Sequence, residues 1–164
     1  MPLAEELLEL ARQIVYLEQE GGHQASCRRA ISTAYYALFH LLVSEATSNW
    51  SRVELRPVLG RIFEHGNMRS ASSSLVSKHK ELLKKNPPES AELTIARHLH
   101  IVVDSFVQAQ EARNAADYDT SVRMSRAKAL EQIDAVSGAF ESWKAVRDEP
   151  VAQGYLVSLL AKKR

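Results

Sequence analysis

The sequence predicts an all-α protein, folded as an up-and-down antiparallel bundle of four to five main helices plus a short C-terminal helix. Helix-breaking residues are scarce, with 6 glycines and 5 prolines among 164 residues. Strict alternation of apolar and polar residues never lasts long enough to indicate a sheet. Apolar residues recur instead at three- and four-residue spacing, and residues 27–43 are apolar on nearly every side. That pattern is typical of a buried central helix.

The first two helices are predicted from their apolar spacing and their ends. An amphipathic outer helix is expected from Pro2, a residue favoured at the first helical position, to a stop at Gly21 and Gly22. The second helix is expected from His23 to Ala46 and contains the central segment. Its main apolar seam consists of Cys27, Ile31, Ala34, Leu38 and Leu41. We therefore expect the other helices to pack around it.

The middle of the chain predicts two weaker helices. Ser51 stands three residues before Glu54, the spacing of a capping box, although Pro57 could instead mark the first turn of this short third helix. Its buried face is expected to consist of Leu59, Ile62 and Phe63. Gly66 is expected to end it. A serine-rich helix is expected over residues 72–85.

A long helix is predicted after the prolines at 87–88. Ser90 can cap it, and the helical pattern continues to about residue 115. One apolar seam runs along this helix and ends at Arg113. A cation at the end of a buried face is unusual, so Arg113 is a candidate functional residue.

The last long helix is predicted to begin after a cap at Asp119 or Thr120 and to end before Pro150. Its apolar residues keep a heptad-like spacing. A short amphipathic piece with a basic tail follows. We therefore expect a bundle domain over residues 1–149 and an appendage over residues 150–164, which packs on the bundle or on a second subunit.

The composition limits the classes of function. A net charge of +1, with 25% charged residues, gives no general attraction to nucleic acid or to anionic membranes, so any basic site must be local. The single cysteine, Cys27, excludes an intrachain disulfide and is expected to be a small buried hydrophobe. Neither a secretory signal nor an apolar run of about 18 residues is visible. We expect a cytoplasmic protein with no membrane partner.

A polar stripe runs along the second helix. Arg29, Thr33, Tyr36 and His40 follow one another at steps of four, three and four, so their side chains share one face. We predict Arg29, Thr33 and Tyr36 as ligand-binding candidates, together with Tyr118 at the end of the long helix that carries Arg113. The structural alternative is a partly buried face whose polar groups find hydrogen bonds within the bundle or across a dimer.

The histidines do not predict a metal site, and no cofactor is predicted. His98 and His100 are two residues apart and point to different sides of a helix. His100 and Asp104 supply only two ligands and are expected to form an ion pair instead. Arg61 and His65 are expected to contact the dipole at the end of the third helix.

Three stretches carry a resemblance to a known family. RRAISTAYYALFHLL lies in the second helix, FEHGNM after the third, and QEARNAADYD at the end of the long helix, before a helix with SRAKAL. In this order, over residues 5–147, the chain resembles the HEPN domain superfamily. The resemblance implies a compact helical bundle that dimerises about its second and fourth long helices. It also implies roles in RNA cleavage, RNA or nucleotide binding, toxin–antitoxin pairs and defence.

Active HEPN ribonucleases carry an arginine, often followed by asparagine, and a histidine a few residues further on. Arg113 and Asn114 match the first two positions, but the chain then has Tyr118, Asp119 and Thr120, and no histidine follows anywhere. Metal-free RNA cleavage needs a base with a pKa near neutrality and a cation to hold the charge on phosphorus. An unperturbed aspartate, with a pKa of about 4, is a weak base at pH 7. The nuclease motif is therefore degenerate.

Three hypotheses follow. The leading one is a homodimeric HEPN-like protein that binds RNA or a nucleotide, has a regulatory role, and acts beside a separately encoded protein partner. The second is a metal-independent endoribonuclease in which Arg113 works with His40 as a non-standard base, or with Asp119. The third is a structural module whose apolar faces bind a partner helix. For Arg113 itself, the structural alternative is an ion pair with Asp117 and Asp119 that fixes the turn between two helices.

Overall fold

The computed structural model of the protein describes residues 1–19 and 22–162. Within these ranges it is all-α, with no strand, which confirms the predicted fold class. Five long helices form the bundle, and two short α-helices and one 3-10 helix, Val53–Leu55, complete it. The α-helices are α1 Leu3–Tyr16, α2 Gln24–Ser48, α3 Arg56–Gly60, α4 His65–Lys84, α5 Ala91–Tyr118, α6 Arg126–Val146 and α7 Pro150–Ser158.

Helix α2 is the centre of the bundle, as predicted. It contacts α1, α3, α5, α6 and α7. Four of its five predicted seam residues are buried, and Leu41 is partly buried against the same core. Because α2 is covered on nearly all sides, its apolar residues are not confined to one stripe.

Helix α1 ends earlier than predicted, at Tyr16 rather than at the glycines. Gly21 lies outside the described residues. Gly22 has φ +53°, and a Cβ atom there would lie 2.6 Å from Cys27 Sγ. Both the left-handed backbone and the close approach therefore require glycine at this position.

The third helix is shorter than expected, and its buried face differs. Ser51 makes no capping hydrogen bond, whereas Pro57 lies in the first turn of α3. Leu59 is partly buried and Phe63 is buried, but Ile62 is exposed, so its predicted burial is wrong. Helix α3 packs against α2 and the 3-10 helix and has no buried residue, and the chain leaves it at Gly60, before Ile62.

Helix α4 begins at His65, well before the predicted start at residue 72, and Gly66 lies inside it rather than ending α3. Tertiary packing explains the difference. Ser72 Oγ is fully buried, donates to the Met68 carbonyl at 2.8 Å and shares a 2.8 Å hydrogen bond with Tyr155 Oη. A serine-rich helix that is weak alone is stabilised by these contacts with α7.

The predicted start of α5 is confirmed. Asn86 has φ +46° and the prolines at 87–88 are not helical. Ser90 Oγ accepts a hydrogen bond from the Leu93 backbone N–H at 3.1 Å, so Ser90 is the N-cap.

Helix α6 begins later than predicted. Its N-cap is Ser125, whose Oγ accepts from the Lys128 N–H at 3.2 Å, so the caps predicted at Asp119 and Thr120 are wrong. Asp119 Oδ1 instead accepts from the Ser121 N–H at 3.0 Å within the turn that precedes α6. An aspartate that closes its own turn competes with helix initiation.

Helix α7 packs on the bundle of its own chain. Its residues Tyr155 and Leu156, with Leu159 just beyond it, are buried in the common core, against α2 and α4. The last two residues of the predicted basic tail, 163–164, lie outside the described residues. No helix in the described ranges has the length and apolar character needed to cross a membrane.

Candidate functional site

Arg113 lies in the last turns of α5, with 16% of its side chain exposed. Its Nη2 donates to Tyr36 Oη at 2.8 Å, and its Nη1 donates to Asn114 Oδ1 at 3.0 Å. Its Nε lies 2.9 Å from Asp117 Oδ2, although the N–H is not aimed at that oxygen. The expected ion pair therefore forms with Asp117, which lies one helical turn further on, and not with Asp119.

Three tyrosine rings surround the guanidinium of Arg113. The guanidinium carbon lies 5.5 Å from the ring centres of Tyr36 and Tyr118 and 5.8 Å from that of Tyr35. Such cation–π contacts are favourable where water is partly excluded. Tyr118 is 72% exposed, so one aromatic face at this site is open to solvent.

The charge on Arg113 is permanent. Burial acts to lower the pKa of Arg113, but the hydrogen bond to Tyr36 and the attraction of Tyr36, Asp117 and Tyr118 outweigh it and raise the pKa above its usual value. An arginine is protonated at any physiological pH. Arg113 and the three tyrosines form a cluster that offers a fixed positive charge, which the carboxylate of Asp117 partly screens.

His65 belongs to the same cluster, which sequence reasoning missed. It is the first residue of α4 rather than part of the end of α3, so the expected contact with a C-terminal dipole is wrong. Its Nδ1 lies 2.5 Å from Tyr35 Oη, and its ring stacks on Phe39 with centres 4.3 Å apart. The ring also meets Tyr36 edge-on at 6.0 Å. The stretch FEHGNM was the only sequence signal that pointed to it.

The surroundings of His65 favour its uncharged form. Burial lowers the pKa of His65, and the positive charges of Arg113 and of protonated His40 lower it further. Burial also raises the pKa of Tyr35. The contact between them is thus a neutral hydrogen bond, and if Nδ1–H donates to the phenol oxygen, Nε2 is left as a proton acceptor.

Lowering the pH is expected to destabilise the fold through its buried and partly buried histidines. Burial lowers the pKa of His40, His65 and His79 in the folded protein. An unfolded chain, with histidine pKa values of about 6.5, then binds more protons, so stability is fully present above about pH 6.5 and falls as the pH drops below it. Urea unfolding at about pH 7 and about pH 5.5 measures the loss, which His65→Gln should reduce. An unfolding free energy that does not change over this interval would contradict the burial of neutral histidines.

The predicted polar stripe on α2 does not form one site. Tyr36 contacts Arg113, whereas Thr33 is buried and Arg29 is exposed. His40 meets Phe39 edge-on at 5.4 Å and lines a groove between α1, α2 and α3. Among the described residues, no hydrogen bond, ion pair or ring contact joins His40 to Arg113.

Asp119 is held in the turn after α5 by Ser121 and has no ion pair with Arg113. Hydrogen bonds from the Ser121 hydroxyl and N–H lower the pKa of Asp119, which makes it a still weaker base. The turn is fixed by Arg28, which sequence reasoning did not single out. Arg28 donates to four backbone carbonyls, those of Ala115, Ala116, Asp119 and Val122. The Ala115 carbonyl also accepts from the Asp119 N–H at 3.0 Å, whereas for the Ala116 carbonyl, at the end of α5, Arg28 takes the place of a helical partner.

The two histidines in the first half of α5 contact side chains of other helices. His98 Nδ1 lies 3.2 Å from Ser142 Oγ. His100 packs edge-on against His79 at 5.6 Å, and the expected ion pair between His100 and Asp104 is not formed. In the described part of the chain, no group of three or more histidine, cysteine, aspartate or glutamate side chains could hold a metal ion.

Comparison with protein-family models, with curated proteins and with solved structures found no match to this chain. The candidate site is therefore defined by its own geometry. Helix α2 supplies Tyr35, Tyr36 and Phe39, the start of α4 supplies His65, and the end of α5 supplies Arg113. The site combines the permanent cation of Arg113, the neutral imidazole of His65 and the exposed ring of Tyr118.

Proposed function

We propose that this chain is a HEPN-like protein that binds the phosphate group of RNA or of a nucleotide at Arg113. The observation that carries the proposal is the guanidinium of Arg113, fixed at the end of a buried seam by Tyr36 and open to solvent on one side. Guanidinium groups recognise phosphate through paired hydrogen bonds. We place the protein in a regulatory role, in a toxin–antitoxin or defence setting, beside a separately encoded partner.

The neighbours of Arg113 suit a nucleotide better than a bare anion. Tyr118 offers an exposed ring on which a base can stack, and stacking is tolerant of sequence. Asp117 and Asn114 occupy two edges of the guanidinium and would be displaced by a phosphate. Since this displacement costs free energy, we expect a phosphate to bind only weakly at one copy of Arg113. A homodimer that brings two copies of Arg113 to one cleft would raise the affinity, and this is the assembly we propose.

Binding of a fluorescently labelled single-stranded RNA, followed by anisotropy at low salt, tests the proposal. Arg113→Ala should weaken binding at least about 10-fold, because a phosphate contact and its counterion release are lost. Arg113→Lys should recover only part of the affinity, since lysine lacks the planar fork. The matched control is Arg97→Ala, which removes an exposed arginine of the same helix, paired with Glu89. Equal affinities of Arg113→Ala and the unchanged protein would refute a phosphate site there.

A second function, metal-independent RNA cleavage, is favoured by the position of His65. Its neutral imidazole lies among the same tyrosines as Arg113. In this mechanism His65 takes the proton of the 2′-hydroxyl and the 2′-oxygen attacks phosphorus, while Arg113 holds the added charge. The bond to the 5′-oxygen then breaks, that oxygen takes a proton from water, and a 2′,3′-cyclic phosphate remains. The same RNA incubated with a chelator separates the two functions. Cleavage lost in His65→Gln but kept in His40→Gln indicates the nuclease, and uncleaved bound RNA indicates binding alone.

A further inference from the structure

The connection after α2 carries large apolar side chains that face solvent. Within residues 50–62, five of them are between 43% and 61% exposed. We call these the α3 surface: Trp50, Val53, Leu55, Val58 and Ile62. No residue of the 3-10 helix or of α3 is buried. Single exposed apolar residues are ordinary, but a cluster of this density is typical of an interaction surface.

The α3 surface is held rigidly, as a docking surface requires. Arg56 donates from Nε to the Trp50 carbonyl and from Nη2 to the Ser48 carbonyl, each at 2.9 Å. Pro57 stiffens the first turn of α3, and Phe63 anchors its far side in the core. Because the backbone is already ordered, a partner would lose little conformational entropy on binding here.

A groove adjoins the α3 surface and can receive an apolar side chain. It has a volume of about 450 Å³ and lies between α1, α2 and α3. Its walls include Leu3, Val43, Val53 and Pro57. A flat lipid surface cannot fill a concave groove, whereas a side chain projecting from a helix can. The shape therefore favours a protein partner over a membrane.

The charges around the α3 surface indicate which protein would fit. Residues 50–62 contain three arginines, Arg52, Arg56 and Arg61, and one carboxylate, Glu54, which lies 3.8 Å from Arg52, so the segment keeps a net charge of +2. Among the described residues that line the groove, those with ionisable side chains are His40 and Arg56. In a twofold dimer through this face, the same net positive charge would lie on both sides of the interface. The charge of the α3 surface is therefore unfavourable for contact with a second copy and complementary to that of an acidic partner.

We propose that the α3 surface docks an acidic amphipathic helix of a separate protein. Apolar side chains at helical spacing would cover Trp50, Val58 and Ile62, and one of them would enter the groove. Aspartate or glutamate residues beside that stripe would face Arg52 and Arg61. The proposal is independent of phosphate binding at Arg113.

Two synthetic amphipathic helices with the same leucine stripe, one flanked by glutamates and one by lysines, test the proposal with the full-length protein. Acrylamide quenching reports on Trp50, because the other tryptophan, Trp143, is 1% exposed. The acidic peptide should protect Trp50 and bind at least about 10-fold more tightly than the basic one. Val58→Ser combined with Ile62→Ser should weaken binding about 30-fold, as expected for the centre of an interface.

Two further variants sharpen this test. Arg61→Glu should shift the preference from the acidic to the basic peptide. The matched control, Val157→Ser, removes an apolar side chain that is 71% exposed on α7 and should leave binding unchanged. Equal binding of both peptides, or no protection of Trp50, would overturn the proposal. So would quenching changes caused only by phosphatidylglycerol vesicles, or self-association that Val58→Ser abolishes.

Discussion

Replacing Arg28 with alanine is expected to lower the free energy of unfolding by about 2–4 kcal/mol. The guanidinium of Arg28 donates to four backbone carbonyls at the end of α5 and in the turn that follows. Hydrogen bonds from a charged donor are stronger than neutral ones, and carbonyls left unpaired in partly buried positions keep their desolvation cost. Equilibrium unfolding in urea measures the change.

The neighbouring residue provides the control for Arg28. Arg29 is exposed on the same helix, and Arg29→Ala should change the free energy of unfolding by less than about 0.5 kcal/mol. Arg28→Lys should restore only part of the loss, since one ammonium cannot reach four carbonyls with the geometry of a planar fork. Similar effects of the alanine substitutions at both positions would show that the carbonyl contacts contribute little.

Replacing Leu38 with alanine is expected to destabilise the protein by about 2–5 kcal/mol. Leu38 is fully buried on α2, the helix that contacts α1, α3, α5, α6 and α7. Removing its side chain loses the free energy of transfer from water and leaves a cavity that surrounding helices cannot close completely. Thermal unfolding, with urea unfolding at one temperature, measures the loss.

A leucine outside the core provides the comparison for Leu38. Leu17 is 82% exposed just after α1, and Leu17→Ala should change the free energy of unfolding by less than about 0.5 kcal/mol. If Leu38→Ala cost no more than Leu17→Ala, α2 would not be the centre of the folding unit. The two substitutions remove the same atoms, so most of the difference between them reports burial.

Arg113 illustrates how a structural role and a binding role can coincide. Its contacts with Tyr36 and Asp117 tie the end of α5 to α2 and to its own last turn. The same contacts hold the guanidinium in one orientation, which is what a preorganised phosphate site needs. The RNA-binding experiment separates the roles, because a purely structural arginine would not change the affinity for RNA when the folded fraction is held constant.

Local patterns were sufficient to predict the fold class and most helices. The all-around apolar character of residues 27–43 predicted the central helix, because only a helix covered on every side needs no polar face. Ser90 predicted the start of α5 for an equally local reason, since a cap bonds to an N–H three residues away. The apolar seam of the same helix singled out Arg113 at its end, and 16% of this side chain is exposed in the structure.

Patterns of this kind could not predict contacts between distant segments. The serine-rich helix α4 starts at His65 because Ser72 finds Tyr155 on α7, 83 positions further along the chain. His65 reaches Tyr35 and Phe39 for the same reason, as the packing of α4 carries its first residue onto α2.

The sequence by itself determined that this protein is a helical bundle built around α2 with an arginine at the end of a buried seam. Only the tertiary structure decided which groups surround Arg113, that Arg28 rather than an ion pair fixes the turn after α5, and that the α3 surface stays uncovered. The physical reason is the distance along the chain over which each kind of interaction acts. Helical periodicity and capping act over three or four residues, whereas these contacts depend on how whole helices pack.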